Sequence, residues 1–315
     1  MPGFTSHYLF GKKARSKMDE SPLLTAVRRY PCTYNLGLQG PDIFFYHLPS
    51  VASKREVGNL AHKKHTGEFL INMASLAAYN PDPAEIECGV AYLAGFLGHY
   101  AMDMTCHPFI YARTGFTGTN DKKYFGRHCS LETDIDSAFL HRELNIRPSD
   151  FSKKNTIDIS SMEAKVICGL LSDSFRETYG FAGRVSRRTA AHAIKSMQDI
   201  TEKLHDAHGF RRTLARRIEE YTLGYPWLSG MIELELGYAH KDPCNLKHDT
   251  WKSPWEPDIK RNESFYDLAD RALEIYLDMC SYPERILVEK RRFIAQDDVP
   301  DIIRQGHSYL SGLVT

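Results

Sequence analysis

The sequence has no Cys-x-x-Cys pair, no excess of either charge, no long apolar run and no detectable internal repeat. Each absence excludes something. The seven cysteines, Cys32, Cys88, Cys106, Cys129, Cys168, Cys244 and Cys280, are odd in number and are read as free thiols of a reducing compartment. Cys88 and Cys106 fall in apolar helical stretches, where a small thiol is ordinarily buried. No stretch reaches the ~18 continuous apolar residues of a membrane span. The opening MPGFTSHYLFGKKARSK lacks the charged region and apolar run of a secretion signal, so the expected location is cytoplasmic. With 40 basic and 40 acidic residues the formal charge is zero, and nothing draws the whole chain to nucleic acid or to an anionic membrane. Period-two alternation of useful length is missing as well, and the expected fold is all-α.

Histidine is what the chain has in quantity. Of 14 histidines, eight lie between His7 and His141. The stretch that organises them is GFLGHYAMDMTCH, residues 95–107. Read as a helix, it sets His99, Asp103 and His107 four residues apart, within an arc of about 80° on one face. Imidazole and carboxylate are ligands of zinc sites that keep an open coordination position. A polar stripe meeting another polar helix is the plainer explanation.

Taken in order, residues 3–10 are apolar and aromatic around His7. A helix is predicted over 20–30, with Ser21 as cap and Pro22 in its first turn. Gly40-Pro41-Asp42 forms a turn that brings Asp42, a ligand or a helix cap, against Phe44, Phe45 and Tyr46. Residues 56–79 read as a helix carrying His62 and His65 on one side, either of which could be the ligand. The central helix runs from about Ala84 to His107, with Pro108 expected to end it. Residues 112–127 read as a polar loop. The next helix begins near His128 and sets His128 and Glu132 at i, i+4. Asp134 and Asp136 are assigned to the surface or to groups supporting the ligands. Further helices are predicted over 161–179, 187–222, 226–240 and 262–281, with Trp227, Leu228, Met231, Leu234 and Leu236 as core. RRTLARR, residues 211–217, reads as a solvated basic face, and 241–261 as a long proline-containing loop. The expected organisation is one multi-helix domain over 1–315, with a metal-ligand half, 1–145, and a helical remainder, 146–315.

The candidates His7, Asp42, His62, His99, Asp103, His107, His128 and Glu132 are enough for more than one metal. A carboxylate within a histidine ladder can bridge two ions, and closely spaced metals suit phosphate-ester hydrolysis. Cys106 and Cys129 adjoin two of these residues, which leaves a soft secondary metal contact open.

The ordered set of His7, Gly40-Pro41-Asp42, G-x-x-x-H (Gly58 to His62), H-x-x-x-D (His99 to Asp103), His107 and H-x-x-x-E (His128 to Glu132) resembles the zinc-dependent phospholipases C of bacteria. These are related in fold to the fungal single-strand nucleases. The resemblance covers roughly residues 1–140. It implies an all-helical fold with zinc at the bottom of a cleft. It also implies Asp42, His62, His99 and Asp103 on one zinc, and His107, His128 and Glu132 on a second. A third zinc would take His7 and a bridging Asp103. The founding secreted enzymes complete that third site with an N-terminal tryptophan; here Pro2 stands nearest that place, and two or three ions are expected. Asp42 further resembles the family's proposed catalytic base, with a zinc-activated water as the competing source of the nucleophile.

The implied activity is that of a phospholipase C, which cleaves phospholipid to diacylglycerol and a phosphorylated head group. Expected partners are a phospholipid or other phosphodiester and a transient membrane surface, without nucleic acid. Phe44, Phe45, Tyr46, Tyr8 and Phe10 are candidates for a quaternary-ammonium pocket or for core. The alternatives are a single-strand nuclease of the same superfamily and an HD-type phosphohydrolase using His205-Asp206 or His248-Asp249. A metal-stabilised scaffold without enzymatic activity is the remaining alternative.

Overall fold

A computed structural model describes residues 3–47, 57–118, 122–180, 184–204, 206, 210–222, 229–289 and 298–315. In chain order its helices are α1 (Phe4–Lys17), α2 (Pro22–Arg29), α3 (Pro31–Gly37), α4 (Val57–Lys63), α5 (Thr66–Ala78), α6 (Pro83–Arg113) and α7 (Lys122–Leu144). There follow α8 (Lys153–Thr156), α9 (Ser161–Tyr179), α10 (Arg187–Lys203), α11 (Phe210–Thr222), α12 (Phe265–Met279), α13 (Ser281–Glu289) and α14 (Asp301–Gln305). Tight 3-10 turns cover Gly40–Tyr46, Pro148–Asp150 and Ser229–Met231. Among the described residues there is no strand, only the isolated bridges Trp251–Arg261 and His307–Val314. The fold is all-α. No described helix is long and apolar enough to cross a membrane.

Helix α6 is the axis. It has 31 residues, a length of about 46 Å. From Cys88 to Tyr111 every side chain but His107 is buried. A helix apolar on nearly all sides needs neighbours on all sides, and α3, α5, α9 and α12 pack around it. The closest approach is to α3. A Cβ on Gly95 would lie 2.1 Å from the Tyr34 carbonyl, and one on Gly37 would lie 2.3 Å from the Tyr92 carbonyl. Neither side of that contact admits a side chain.

Pro108 does not end α6, which continues to Arg113. Proline lacks the N–H that would bond the Met104 carbonyl. The C-terminal segment packs into that notch: a Cβ on Gly312 would meet Met104 O at 2.5 Å. Tertiary packing there outweighs the local tendency to break.

Side-chain caps explain several helix starts. Ser21 accepts from Leu24 N at α2, while Ser160–Glu163 and Ser264–Asp267 form reciprocal capping boxes at α9 and α12. Other boundaries differ from the sequence expectation. The stretch 56–79 breaks at His65, which takes a left-handed backbone (φ 53°) between α4 and α5. The stretch 187–222 divides into α10 and α11. The helix expected over 226–240 is absent from its described part. Ser229–Met231 is a single tight turn, Gly237 has φ +72°, and Leu236 is 73 % exposed, so that apolar spacing has no core to face. Trp227 and Leu228 lie outside the described residues, and Met231 and Leu234 are half-buried.

Candidate metal centre

The eight candidate ligands come from five elements. His7 is on α1, Asp42 in the turn Gly40–Tyr46, His62 on α4, and His99, Asp103 and His107 on α6, while His128 and Glu132 are on α7. They form three groups: His7 with His99 and Asp103; Asp42 with His62 and His99; and His107 with His128 and Glu132. Within each group the ligand atoms lie within 4.8 Å of one another. Asp103 joins them. Its Oδ1 is 3.2 Å from His7 Nε2, and its Oδ2 is 3.1 Å from His99 Nε2, 3.5 Å from His62 Nε2 and 3.4 Å from His107 Nδ1. Glu132 Oε1 is 3.3 Å from His107 Nε2 and 3.2 Å from His128 Nε2. Asp42 Oδ1 is 3.2 Å from His62 Nε2. His99 is fully buried, and Asp42, at 17 %, is the most accessible side chain of the set.

The outer nitrogens of four of the five rings are held from behind. Nδ1 of His62 meets the Gly58 carbonyl at 2.7 Å, that of His99 the Leu38 carbonyl at 3.1 Å, and that of His107 the Tyr309 carbonyl at 2.8 Å. His128 Nδ1 lies 3.1 Å from the Tyr124 hydroxyl. A carbonyl accepts only from N–H, so in the neutral forms of His62, His99 and His107 Nδ1 carries the proton and Nε2 is left as a lone pair facing inward. Two buried atoms there, His99 Nε2 and Asp103 Oδ2, lack an aligned hydrogen-bond partner despite their closeness. This donor set, inward lone pairs around two buried carboxylates, fits a cation such as zinc.

The electrostatics agree. Burial opposes ionisation of Asp103, but His107, His99, His62 and His7 around it hold its carboxyl well below the usual range. Glu132 is likewise held down, with burial outweighed by His128 and His107. Burial, only partly offset by the neighbouring carboxylates, pushes His99 and His128 toward the neutral form that a metal needs. His62 goes the other way. Against burial, its bonds to Asp103 and Asp42 raise it to about 10.

The glycine of the Gly40 turn is required. Gly40 has φ +50°, and a Cβ there would lie 2.2 Å from His99 Cδ2. His62 rather than His65 enters the cluster, because His65 is exposed and pairs with Glu68 at 3.0 Å. Cys106 Sγ turns to Met102 Sδ at 3.8 Å, and neither Cys106 nor Cys129 belongs to the three groups. Met1 and Pro2 lie outside the described residues. Of the proposed aromatic pocket, Phe10 and Phe44 are instead core, packed on Tyr276 and Phe175, and Tyr46 is buried. Phe45 stacks on His62, and Tyr8 packs against Phe151. The His-Asp pairs stay apart from the cluster: Asp206 accepts from Arg212 N, His248 is exposed, and His205 lies outside the described residues.

Of three further contributors, Asp134 and Asp136 were left by the sequence between the surface and a supporting role, and Tyr309 was not read from it. Asp136, fully buried rather than on the surface, accepts from Gly3 N (3.1 Å), Thr5 N (3.0 Å) and Ser6 N (2.8 Å) and so caps α1 from across the chain. Its position four residues after Glu132, on the same face, was the available signal. Asp134 is also buried, bonding His240 at both its backbone N (2.7 Å) and its ring (2.8 Å). Tyr309, nearly at the end of the chain, packs its ring on His62 and His99 and offers its carbonyl to His107; no local pattern marks it. Beside His128 stands an aromatic wall of Tyr111, Phe116, Tyr124 and Trp255, with Trp255 supplied by the 241–261 loop.

No curated protein and no solved structure matches the chain. A family model described as zinc dependent phospholipase C matches residues 6–175, more than half of the 315 residues and a segment that includes all eight clustered side chains. The chain belongs to the zinc-dependent phospholipase C family.

Proposed function

We propose that the chain is a zinc-dependent phosphodiester hydrolase acting as a phospholipase C, releasing diacylglycerol and a phosphorylated head group. The observation that carries this is Asp103, a buried carboxylate facing four imidazoles with both oxygens. In this proposal Asp42, His62, His99 and Asp103 hold one zinc and His107, His128 and Glu132 a second. His7, with Asp103, serves a third. Zinc bound there supplies water activation at neutral pH and neutralises phosphate charge.

The chain's own groups do the rest. Carbonyls of Gly58, Leu38 and Tyr309 fix three rings so that nothing reorganises when charge develops. Asp42 is the acceptor nearest solvent and orients an attacking water. Its carboxyl lies below the ordinary range, because the His62 bond and the His99 charge outweigh burial. It therefore acts more through hydrogen bonding than as a strong base. Half-buried Phe116 and Trp255, beside the His128 side, suit the apolar glycerol portion of a lipid.

The test is zinc content by plasma mass spectrometry on protein purified without affinity tag or chelator, with phospholipid hydrolysis measured on the same samples. Two or three ions per chain are expected, with zinc and hydrolysis both lost in Asp103→Asn and hydrolysis lost in His128→Ala. Full hydrolysis by zinc-free, refolded protein would sink the proposal.

A further inference from the structure

Helix α11 is turned inside out. Phe210, Leu214, Ile218 and Tyr221 are 69 %, 47 %, 55 % and 93 % exposed. At about 100° per residue they share an arc of roughly 80°. The inward face is polar. Glu219 is buried, and its carboxylate accepts from the backbone N and the hydroxyl of Ser229. The Arg212 guanidinium donates to the Ile232 carbonyl, and its backbone N donates to Asp206. The usual order, with the apolar face to the core, is reversed. On the wheel, exposed Arg217 borders one edge of the stripe and exposed Arg211 the other. The Arg211 guanidinium also donates to the Lys203 carbonyl at 2.9 Å. This helix lies beyond residue 175, outside the segment matched to the family.

We infer that α11 is a docking helix that lays this stripe into the surface of an anionic phospholipid membrane; the inference rests on a phospholipid substrate. Phe210 to Tyr221 spans only about 16 Å. Four such side chains offer on the order of 400 Å², about half of the ~800 Å² per partner of a stable protein interface. A second copy docked on this stripe would also bring the Arg211 and Arg217 pairs together around one apolar seam. A lipid surface needs no matching shape, and its phosphates meet arginines at both edges.

The test is co-sedimentation of the full chain with phosphatidylcholine vesicles, with and without phosphatidylserine. Hydrolysis of a soluble phosphodiester is assayed in parallel as a readout that needs no membrane. Wild type is expected to partition more strongly onto the phosphatidylserine vesicles. Arg211→Gln with Arg217→Gln should lower that partition about 25-fold, at about fivefold per arginine. Leu214→Ser with Ile218→Ser should lower it on both vesicles, with soluble hydrolysis unchanged in either variant. Equal binding by wild type and both variants would overturn the inference. So would a wild-type dimer, seen by light scattering, that the serine variant dissolves. Vesicle binding without soluble hydrolysis in wild type would instead overturn the proposed activity and leave the docking helix standing.

Discussion

Asp136 is 29 residues beyond the last ligand of α6, yet it holds the N-terminal helix that carries His7. Replacing it with alanine removes the two carboxylate oxygens that accept from three buried N–H groups. Each orphaned donor costs about 1–3 kcal/mol. Water entering the space left by the carboxylate moves the total toward the lower end, and a loss of roughly 3–5 kcal/mol is expected. At about 2 °C per kcal/mol for a chain of this length, Tm falls by about 6–10 °C. Asparagine keeps one oxygen but turns its amide N–H₂ toward a backbone donor, so Asp136→Asn falls between wild type and alanine. The site should feel it as well. His7 Nε2 stands 3.2 Å from Asp103 Oδ1 only while α1 keeps its register. Thermal unfolding and zinc content of the three proteins check this. A Tm for Asp136→Ala within about 1 °C of wild type would refute the capping argument. A lowered Tm with all zinc retained would show that the cap supports the fold without positioning His7.

Gly40→Ala places a Cβ against His99 at a left-handed backbone position, and should cost about 2–4 kcal/mol together with zinc. Gly115→Ala, also left-handed but with nothing within 4 Å, should cost only about 1 kcal/mol, and thermal unfolding compares the two. Asp42→Asn should lower phosphodiester turnover by about 100-fold or more while shifting Tm little; equal losses would make Asp42 a structural ligand instead. His62, raised to about 10, is protonated at neutral pH in metal-free protein, so zinc uptake should release roughly one proton or more, measured by calorimetry in buffers of different ionisation enthalpy. Because its folded value lies above its unfolded value, the contribution of His62 to metal-free stability is complete below about pH 6.5 and is lost as pH rises through about 10. Unfolding of chelated protein across that window checks the sign.

The sequence by itself determined the all-α class and the ligand ladder. Both depend on spacing along one helix: His99, Asp103 and His107 share a face of α6, and His128 and Glu132 share a face of α7, whatever packs around them. Ser21, Ser160 and Ser264 set helix starts for the same local reason. Boundaries that depend on neighbours were not legible. Pro108 stays inside α6 because the C-terminal segment fills the notch it makes, and the described part of 226–240, residues 229–240, does not form a helix because its apolar spacing meets no core. The G-x-x-x-H spacing from Gly58 favours His62 over His65, and the left-handed backbone at His65 between two short helices gives the physical reason. Asp136 and Tyr309 act across 130 and 202 residues of chain, on the Ser6 N–H and on the His107 ring, and α11 turns its apolar side outward because its charged side is already bonded inward. Spacing along a helix fixes which side chains share a face; only packing decides what that face meets.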